Sequence, residues 1–281
     1  VSESPAFAFN VAVEAAAETY LKRAGETDWI YDYGDRTPFL LLDLDFSIAD
    51  WYHMEGVLEL KQDRFASALD ETWINFYPNL DYFDFTMPFR AYGSVGGDNW
   101  NLQVGRDKMQ QGPGRSGNLT ISSEPDFYDM VRFSTWWRRF AYTGAIVHID
   151  PWLTKAEEST REANGYTIEE LSKYMMIHRF DVNFHLLIDV NLSITEGYMW
   201  GGKYPDIRFL NPLMIFHNFY HWDYASSMFS AEIELNPWRF MNLYAQVMWN
   251  QIQPKYEKEK YGADAKPPAL GWMIGGEERV P

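Results

Sequence analysis

The sequence predicts an all-β protein in which antiparallel strands form a barrel that crosses a membrane. Apolar and polar residues alternate along about a dozen stretches, with the period of extended strands. Several stretches reach the roughly 9 to 11 residues that a membrane-crossing strand needs, whereas strands of soluble proteins average about 5 to 6. Aromatic residues make up 17% of the 281 residues and gather near the ends of these stretches, as expected for rings at a membrane surface.

The alternation is clearest in residues 40–48 and 174–195. Their even positions are mostly apolar, and their odd positions carry most of the charged and polar residues, including Arg179 and Asp181. Because successive side chains of a strand point to opposite faces, each strand has one apolar and one polar face. A soluble sandwich or barrel would bury the apolar face in a core, whereas an outer-membrane barrel would turn it to lipid. Charges within the strands favour the membrane barrel.

The bulk composition excludes several classes of protein. A formal net charge of -16 argues against nucleic acid as the main partner. The chain has no cysteine, so it has neither disulfides nor thiolate metal sites, which is compatible with a bacterial envelope protein. No apolar run approaches the roughly 18 residues of a membrane-spanning helix, which argues against a helical membrane protein.

The remaining alternating stretches fit one domain, residues 1–281, with short helices in the connections. One short helix is predicted from Asp63, in "DRFASALDETW", and another from the capping box of Thr167 and Glu170. The chain stops at "GWMIGGEERVP", directly after the alternating pattern of another strand begins. We therefore expect a portion of a larger barrel that continues beyond residue 281, rather than a barrel with fewer strands. Further strands are predicted at residues 6–19, 51–61, 82–92, 99–106, 128–137, 140–150, 226–235 and 240–250.

A glycine-rich segment, "VGRDKMQQGPGRSGNLTIS" (residues 104–122), interrupts the alternation. Its glycines allow positive φ or close approach of backbone, so a hairpin tip is the simplest interpretation. However, Arg106, Asp107 and Arg115 carry more charge than a tight turn needs. A loop folded into a barrel would pair these charges with the polar inner wall, and this second interpretation stays open.

The segment resembles the signature of Wzi-type capsule-assembly proteins, in which a Gly-Arg pair closes a strand, a Gly-Pro-Gly turn follows, and a Leu-x-x-Ser strand resumes. Gln111 stands where the family usually has Trp. The resemblance covers roughly residues 98–275, and the first 97 residues are similar only in their alternation. A second, looser block consists of "HRFDVNF" (178–184), "LSITEGYMWGG" (192–202), "LNPLMIFHN" (210–218) and "NLYAQVMWNQI" (242–252).

The resemblance implies a bacterial outer-membrane β-barrel that binds capsular or other surface polysaccharide and holds the capsule to the cell without catalysis. Outer-membrane lipid would be its second partner, nucleic acid would not be one, and no cofactor is expected. Most of the positions carried over are expected to be architectural: Gly105, Arg106, Gly112, Pro113, Gly114, Leu119, Ser122, Glu196, Gly197, Asn211, Pro212 and Asn218.

Candidate glycan-binding residues are exposed aromatics flanked by polar groups. The apolar face of a sugar stacks on a ring, and its hydroxyls need hydrogen-bond partners. Each of these aromatics is equally compatible with a membrane-interface girdle. The candidates for glycan binding are Arg106, Asp107, Arg115, Glu196, Tyr198, Trp200, Tyr204, Arg208 and Trp222, and the candidates for a structural motif are Gly105, Gly112, Pro113, Gly114, Asn211 and Pro212.

Signals for catalysis are weak, so we predict neither an enzyme nor a metal site. His217 and His221 are four residues apart, but no Glu follows His217 as a metalloprotease helix would require. Carboxylate pairs that could serve a glycosidase are expected by chance among 40 acidic residues. Two alternatives remain, namely a porin-like channel on the same scaffold and a soluble, secreted, β-rich carbohydrate-active enzyme.

Overall fold

Stretches in which apolar and polar residues alternate form β-strands, and every strand pair that the structure describes is antiparallel. The structure is a computed structural model, and it places fifteen strands in the described part of the chain. The only helical element with defined bounds among those residues is a single 3₁₀ turn, Ile207–Leu210. The described residues are 6–21, 37–62, 72–74, 83–86, 90–114, 117–122, 125, 127–149, 159, 162–163, 165, 172–185, 187–202, 205–212, 225–250, 259–260, 262 and 269–278.

The chain divides into two units, and each is described by itself. The first comprises Val1–Val95 and Gly105–Asp107, and the second comprises Gly96–Val104 and Lys108–Pro281. In the first unit the strand order is β1-β3-β4-β7, β6 also pairs with β4, and β2 pairs with β5. The strands are β1 (Phe7–Ala15), β2 (Thr19–Leu21), β3 (Leu40–Ile48), β4 (Tyr52–Gln62), β5 (Thr72–Ile74), β6 (Phe83–Thr86) and β7 (Ala91–Gly97).

In the second unit eight strands follow one another in chain order, from β8 to β15. Residues 105–107 of β8 belong to the first unit, as do residues 91–95 of β7. The strands are β8 (Trp100–Asp107), β9 (Tyr128–Trp137), β10 (Phe140–Ile149), β11 (Ser172–His185), β12 (Asp189–Gly202), β13 (Ala225–Trp238), β14 (Met241–Asn250) and β15 (Ala269–Glu278).

Short and long connections alternate along the second unit. The short turns are residues 138–139, 186–188 and 239–240. Since neighbouring strands are antiparallel, these turns lie at one end of the sheet, which we call the short-turn end. The opposite end carries the long connections, residues 108–127, 150–171, 203–224 and 251–268.

The register keeps the two faces of the sheet distinct across the second unit. One row of the apolar face runs through Ile194, Ala231, Val247 and Trp272 on four successive strands. The neighbouring row of the polar face runs through Ser193, Glu232, Gln246 and Met273. We call these the apolar face and the polar face.

Burial is inverted relative to a soluble β protein. Trp272 and Ile274 on the apolar face are 71% and 73% exposed, whereas Glu232 and Gln246 on the polar face are 6% and 2% exposed. In the first unit the apolar side chains of β1 are exposed, while Glu59 and Lys61 are buried as an ion pair at 3.0 Å. The Leu, Ile and Phe rows of these strands therefore do not meet in a dry interior.

The all-β, antiparallel part of the predicted fold is confirmed. Within the described residues β1 pairs only with β3 and β15 only with β14, so the pairing does not close into a ring. The membrane barrel and the single domain stay predictions. No helix in the described ranges has the length and hydrophobicity needed to cross a membrane.

The two predicted connecting helices fall mostly on residues that the structure does not describe. The helix from Asp63 was predicted over "DRFASALDETW", and its last two residues, Thr72 and Trp73, are described as part of β5. That end of the helix prediction is wrong, because these residues pair with β2 as a strand. The capping box of Thr167 and Glu170 lies outside the described residues.

Candidate functional site

The glycine-rich segment, described at residues 108–114 and 117–122, is folded onto the polar face of the second unit. Met109 and Ile121 are buried in one cluster with Met130, Val147 and Ile177 of the neighbouring strands. Gln111 and Ile121 form an antiparallel bridge, so the segment doubles back on itself. The hairpin-tip interpretation is therefore too simple, because a tip in solvent would not bury these side chains.

Hydrogen bonds attach the returning half of this segment to β13 and β14. The backbone N–H of Leu119 donates to Oε1 of Gln246 at 2.6 Å, and the Thr120 hydroxyl donates to Oγ of Ser230 at 2.8 Å. Nε2 of Gln246 donates to Oε1 of Glu232 at 2.7 Å and to the Thr120 hydroxyl at 3.1 Å. The segment thus covers the polar face with both apolar contacts and a buried hydrogen-bond network.

A cluster of ion pairs extends this network along the polar face. Nη1 of Arg179 lies 2.8 Å from Oε2 of Glu232, and Nη2 lies 2.9 Å from Oδ1 of Asp181. The Ser193 hydroxyl donates to Asp181 at 2.6 Å. All four side chains are buried or nearly so, and a buried charge is stable only when it is paired in this way.

Glycine is required at two positions of the resembling motif. Gly112 has φ +130°, and a Cβ there would collide with Oδ1 of Asn118. Asn118 closes this turn, since its Oδ1 accepts from the Gly114 N–H at 2.9 Å and its Nδ2 donates to the Gly114 carbonyl at 2.8 Å. Gly105 has φ +131°, and a Cβ there would collide with the Ala91 carbonyl within the first unit. Pro113 lies inside the Asn118-closed turn and is half-buried.

Asp107 belongs to a second polar cluster, in the first unit. Nε of Arg90 donates to Oδ1 of Asp107 at 3.3 Å, and Nη1 donates to Oε1 of Glu55 at 2.7 Å. The Tyr92 hydroxyl donates to the other Glu55 oxygen at 2.8 Å. The hydrogen bond to Glu55 raises the pKa of Arg90 above its usual value. The neighbouring Arg106 is half-buried in β8, and Arg115 lies outside the described residues.

The expectation that Tyr198 and Trp200 are exposed is wrong. Their side chains are 0% and 3% exposed, because Phe209 of the 3₁₀ turn covers them on the apolar face. The Phe209 and Trp200 rings are stacked with centroids 4.4 Å apart. Glu196 is also buried, and its carboxylate accepts a hydrogen bond from the Tyr198 hydroxyl. Phe209 was not among the site residues predicted from the sequence, in which only its position shortly before Asn211 and Pro212 distinguishes it.

Arg208 is exposed but already paired. Its guanidinium makes a bidentate contact with Asp206, with Nε and Nη2 at 2.8 and 2.5 Å from the two carboxylate oxygens. Asp206 also caps the 3₁₀ turn by accepting from the Arg208 N–H at 3.0 Å. The Asn211 N–H closes the turn on the Arg208 carbonyl at 3.3 Å, and Pro212 follows it on the surface. Tyr204 and Trp222 lie outside the described residues.

Among the residues that the structure describes, no group of His, Cys, Asp or Glu could hold a metal ion. His217 and His221 are outside those residues, so the prediction that they bind no metal stays a prediction. The prediction that the protein is not an enzyme also stays one.

The family model described as capsule assembly protein Wzi matches residues 6–250 of the chain. A search of curated proteins finds no significant match. The family match thus extends well into the first 97 residues, where the sequence resemblance was limited to the alternation.

Proposed function

Since the chain belongs to the Wzi family of capsule-assembly proteins, we propose that it is an outer-membrane β-barrel that binds surface polysaccharide and anchors the capsule to the cell. The family match supports a role of the protein in capsule assembly. The membrane barrel, the polysaccharide contact and the anchoring are the steps that we propose beyond it.

The inverted burial of the strands carries this proposal. On the apolar face, Ile194, Trp272 and Ile274 are exposed, whereas Glu232 and Gln246 on the polar face are buried. Burying one large apolar side chain contributes about 1.5 to 3 kcal/mol, so a handful left in water would forgo as much as the about 5 to 15 kcal/mol that stabilises a typical domain. Lipid around the apolar face would supply this burial, which supports a membrane-spanning sheet over a soluble enzyme.

Aromatic pairs at the short-turn end support the same placement. Trp137 stacks with Phe140 at 5.5 Å between ring centroids, and Trp238 stacks with Phe240 at 6.1 Å. Both tryptophans are exposed. Exposed rings in a band at strand ends are typical of the girdle that outer-membrane barrels place at the lipid–water interface.

The alternation of connections suggests an orientation. Outer-membrane barrels have short periplasmic turns and longer extracellular loops. The long connection at residues 203–224 would then face outward. It carries Tyr204 and Trp222, two of the candidate rings for stacking on a sugar. We propose that the polysaccharide is bound at this long-connection end.

The glycine-rich segment favours binding over conduction. A porin needs a water-filled interior, and this segment instead covers the polar face with buried Met109 and Ile121. Its hydrogen bonds with Gln246, which in turn donates to Glu232, attach it to the polar face. The porin-like alternative would need the segment to leave this position.

Loss of the protein in a capsulated bacterium that carries its gene tests the proposal. We expect polysaccharide to move from the cell pellet to the culture supernatant, and the wild-type gene to restore retention. The double variant Tyr204→Ala/Trp222→Ala should not restore it, whereas Trp238→Ala, at the opposite end, should. Unchanged retention in cells without the protein, or recovery of the protein without detergent in the soluble fraction, would contradict the proposal.

A further inference from the structure

A cleft of about 290 Å³ opens at the short-turn end of the second unit. It lies at the opposite end of the strands from the long connections, so it is separate from the polysaccharide contact proposed above. It is lined chiefly by Arg138, Arg139, Asn183, His185, Asn191 and Asn236.

Three hairpins bring these residues together. The β9–β10 turn supplies the two arginines, and the Asn183 N–H donates to the Arg139 carbonyl at 2.8 Å, which ties this turn to β11. Asn183 and Asn191 are direct partners across the β11–β12 pair, and Asp189 is the direct partner of Asn236 on β13. The cleft is therefore built from paired strand ends rather than from a long loop.

The cleft is positively charged in a chain whose net charge is -16. Arg138 and Arg139 are exposed, and neither guanidinium forms an ion pair or hydrogen bond with any described residue. Asp189, the acidic side chain among the described lining residues, is paired with His185 at 2.5 Å between Oδ1 and Nδ1. Two guanidinium groups thus remain available for an anion.

The same cleft also needs a hydrogen-bond donor. Oδ1 of Asn191 is buried and has no partner within the described residues. An unsatisfied buried acceptor is costly, and a fully deprotonated anion such as sulfate cannot satisfy it, because it offers only acceptors. A hydroxyl can donate to it.

We propose that this cleft binds an acidic saccharide. Arg138 and Arg139 hold the carboxylate of a uronic acid, and a ring hydroxyl donates to Oδ1 of Asn191. Planar guanidinium groups suit carboxylates, and charge-assisted hydrogen bonds are the stronger ones. A neutral sugar would leave both arginines unused, and an anion without a donor, such as sulfate, would leave Asn191 unsatisfied.

Calorimetric titration of the detergent-solubilised full chain with trigalacturonate tests the proposal. We expect binding that weakens roughly tenfold or more in Arg138→Gln/Arg139→Gln, from the loss of charge-assisted hydrogen bonds. Arg239→Gln provides the matched control, since Arg239 is exposed in the next short turn and does not line the cleft. Its affinity should stay within about twofold of wild type.

Ligand controls separate the acidic saccharide from simpler anions. The methyl ester of trigalacturonate and neutral maltotriose should bind weakly, and Asn191→Leu should weaken trigalacturonate binding without creating binding of the ester. Absence of wild-type binding, or equal binding by the double arginine variant, would overturn the proposal. Displacement of trigalacturonate by equimolar inorganic phosphate, or by phosphatidylglycerol in mixed micelles, would instead make the cleft a phosphate or lipid-headgroup site and would also overturn it. None of these outcomes depends on capsule retention.

Discussion

Arg179 is the residue on which the buried charges of the polar face depend. It lies between Glu232 and Asp181, within 2.8 and 2.9 Å of the two carboxylates. Removing one partner of a buried pair leaves the other charge unpaired in a poorly solvated site. Single substitutions here should therefore be more destabilising than substitutions of solvated charges.

Glu232→Ala should lower the free energy of unfolding by about 3 kcal/mol, because Arg179 loses a carboxylate and Gln246 loses an acceptor. Urea titration of the lipid-reconstituted protein, followed by tryptophan fluorescence, measures this change. Glu14→Gln is the control, because Glu14 is exposed on β1, and it should change stability by less than about 0.5 kcal/mol. Equal stabilities of the two variants would show that the ion cluster is solvated.

Gly112→Ala should loosen the glycine-rich segment, because its φ of +130° and the contact with Asn118 leave no room for a Cβ. Limited trypsin digestion detects this directly, since Lys108 and Arg115 provide cleavage sites within the segment. We expect faster cleavage there in the variant. Gly56→Ala should digest at the wild-type rate, because a Cβ at Gly56 meets nothing within 4 Å. A Gly112→Ala protein as resistant as wild type would contradict the assigned turn.

Local sequence predicted the glycines better than it predicted the aromatic rings. A cluster of Gly and Pro marks a turn by backbone chemistry alone, which is why Gly105, Gly112 and Gly114 could be identified as structural candidates. The burial of Trp200 depends instead on Phe209, which returns from a later turn to cover it. Such a contact leaves no periodic signal, so the exposure of Trp200 could not be read from the sequence.

At the scale of elements, alternation predicted the strands but hid one hairpin. His185 and Asp189 pair across a three-residue turn. Even-numbered residues therefore lie on the same face of the sheet in β11 and in β12. The run from 174 to 195 therefore alternates through the turn without interruption. In contrast, Trp137 pairs with Phe140 across a two-residue turn. The face that odd-numbered residues occupy in β9 is therefore occupied by even-numbered residues in β10.

The glycine-rich segment should act as an element that obstructs conduction. Replacing residues 109–121 by a short Gly-Ser linker should raise single-channel conductance in planar bilayers, because the cover of the polar face would be removed. Wild-type protein is expected to conduct little. Replacement of residues 186–188 by Gly-Ser-Gly, at a short turn away from the segment, serves as the control. If the linker variant conducts no better than this control, the segment does not obstruct the interior.

For the molecule as a whole, the effect of one substitution on the free energy of unfolding distinguishes lipid from water around the apolar face. Ile194 is 49% exposed in the middle of β12. Ile194→Arg should destabilise the liposome-inserted protein by about 2 to 4 kcal/mol, the cost of a charge at the bilayer midplane. Denaturant unfolding in phosphocholine vesicles measures it.

Leu187→Arg is the matched control for this change. Leu187 is 100% exposed at the tip of the β11–β12 turn, outside the span, so a charge there should have almost no effect. If Ile194→Arg were as harmless as Leu187→Arg, water would surround the apolar face, and the soluble alternative would replace the membrane barrel.

The contact of Leu119 with Gln246 joins positions 127 residues apart in the chain. The glycine-rich segment can therefore reach its final position only after β13 and β14 have been synthesised and have paired with their neighbouring strands. During assembly the ordering of this segment would mark the completion of the later strands. A chain arrested before them would lack the hydrogen bonds of Leu119 and Thr120 that attach this segment, and such an unattached, partly apolar stretch is what chaperones and proteases bind.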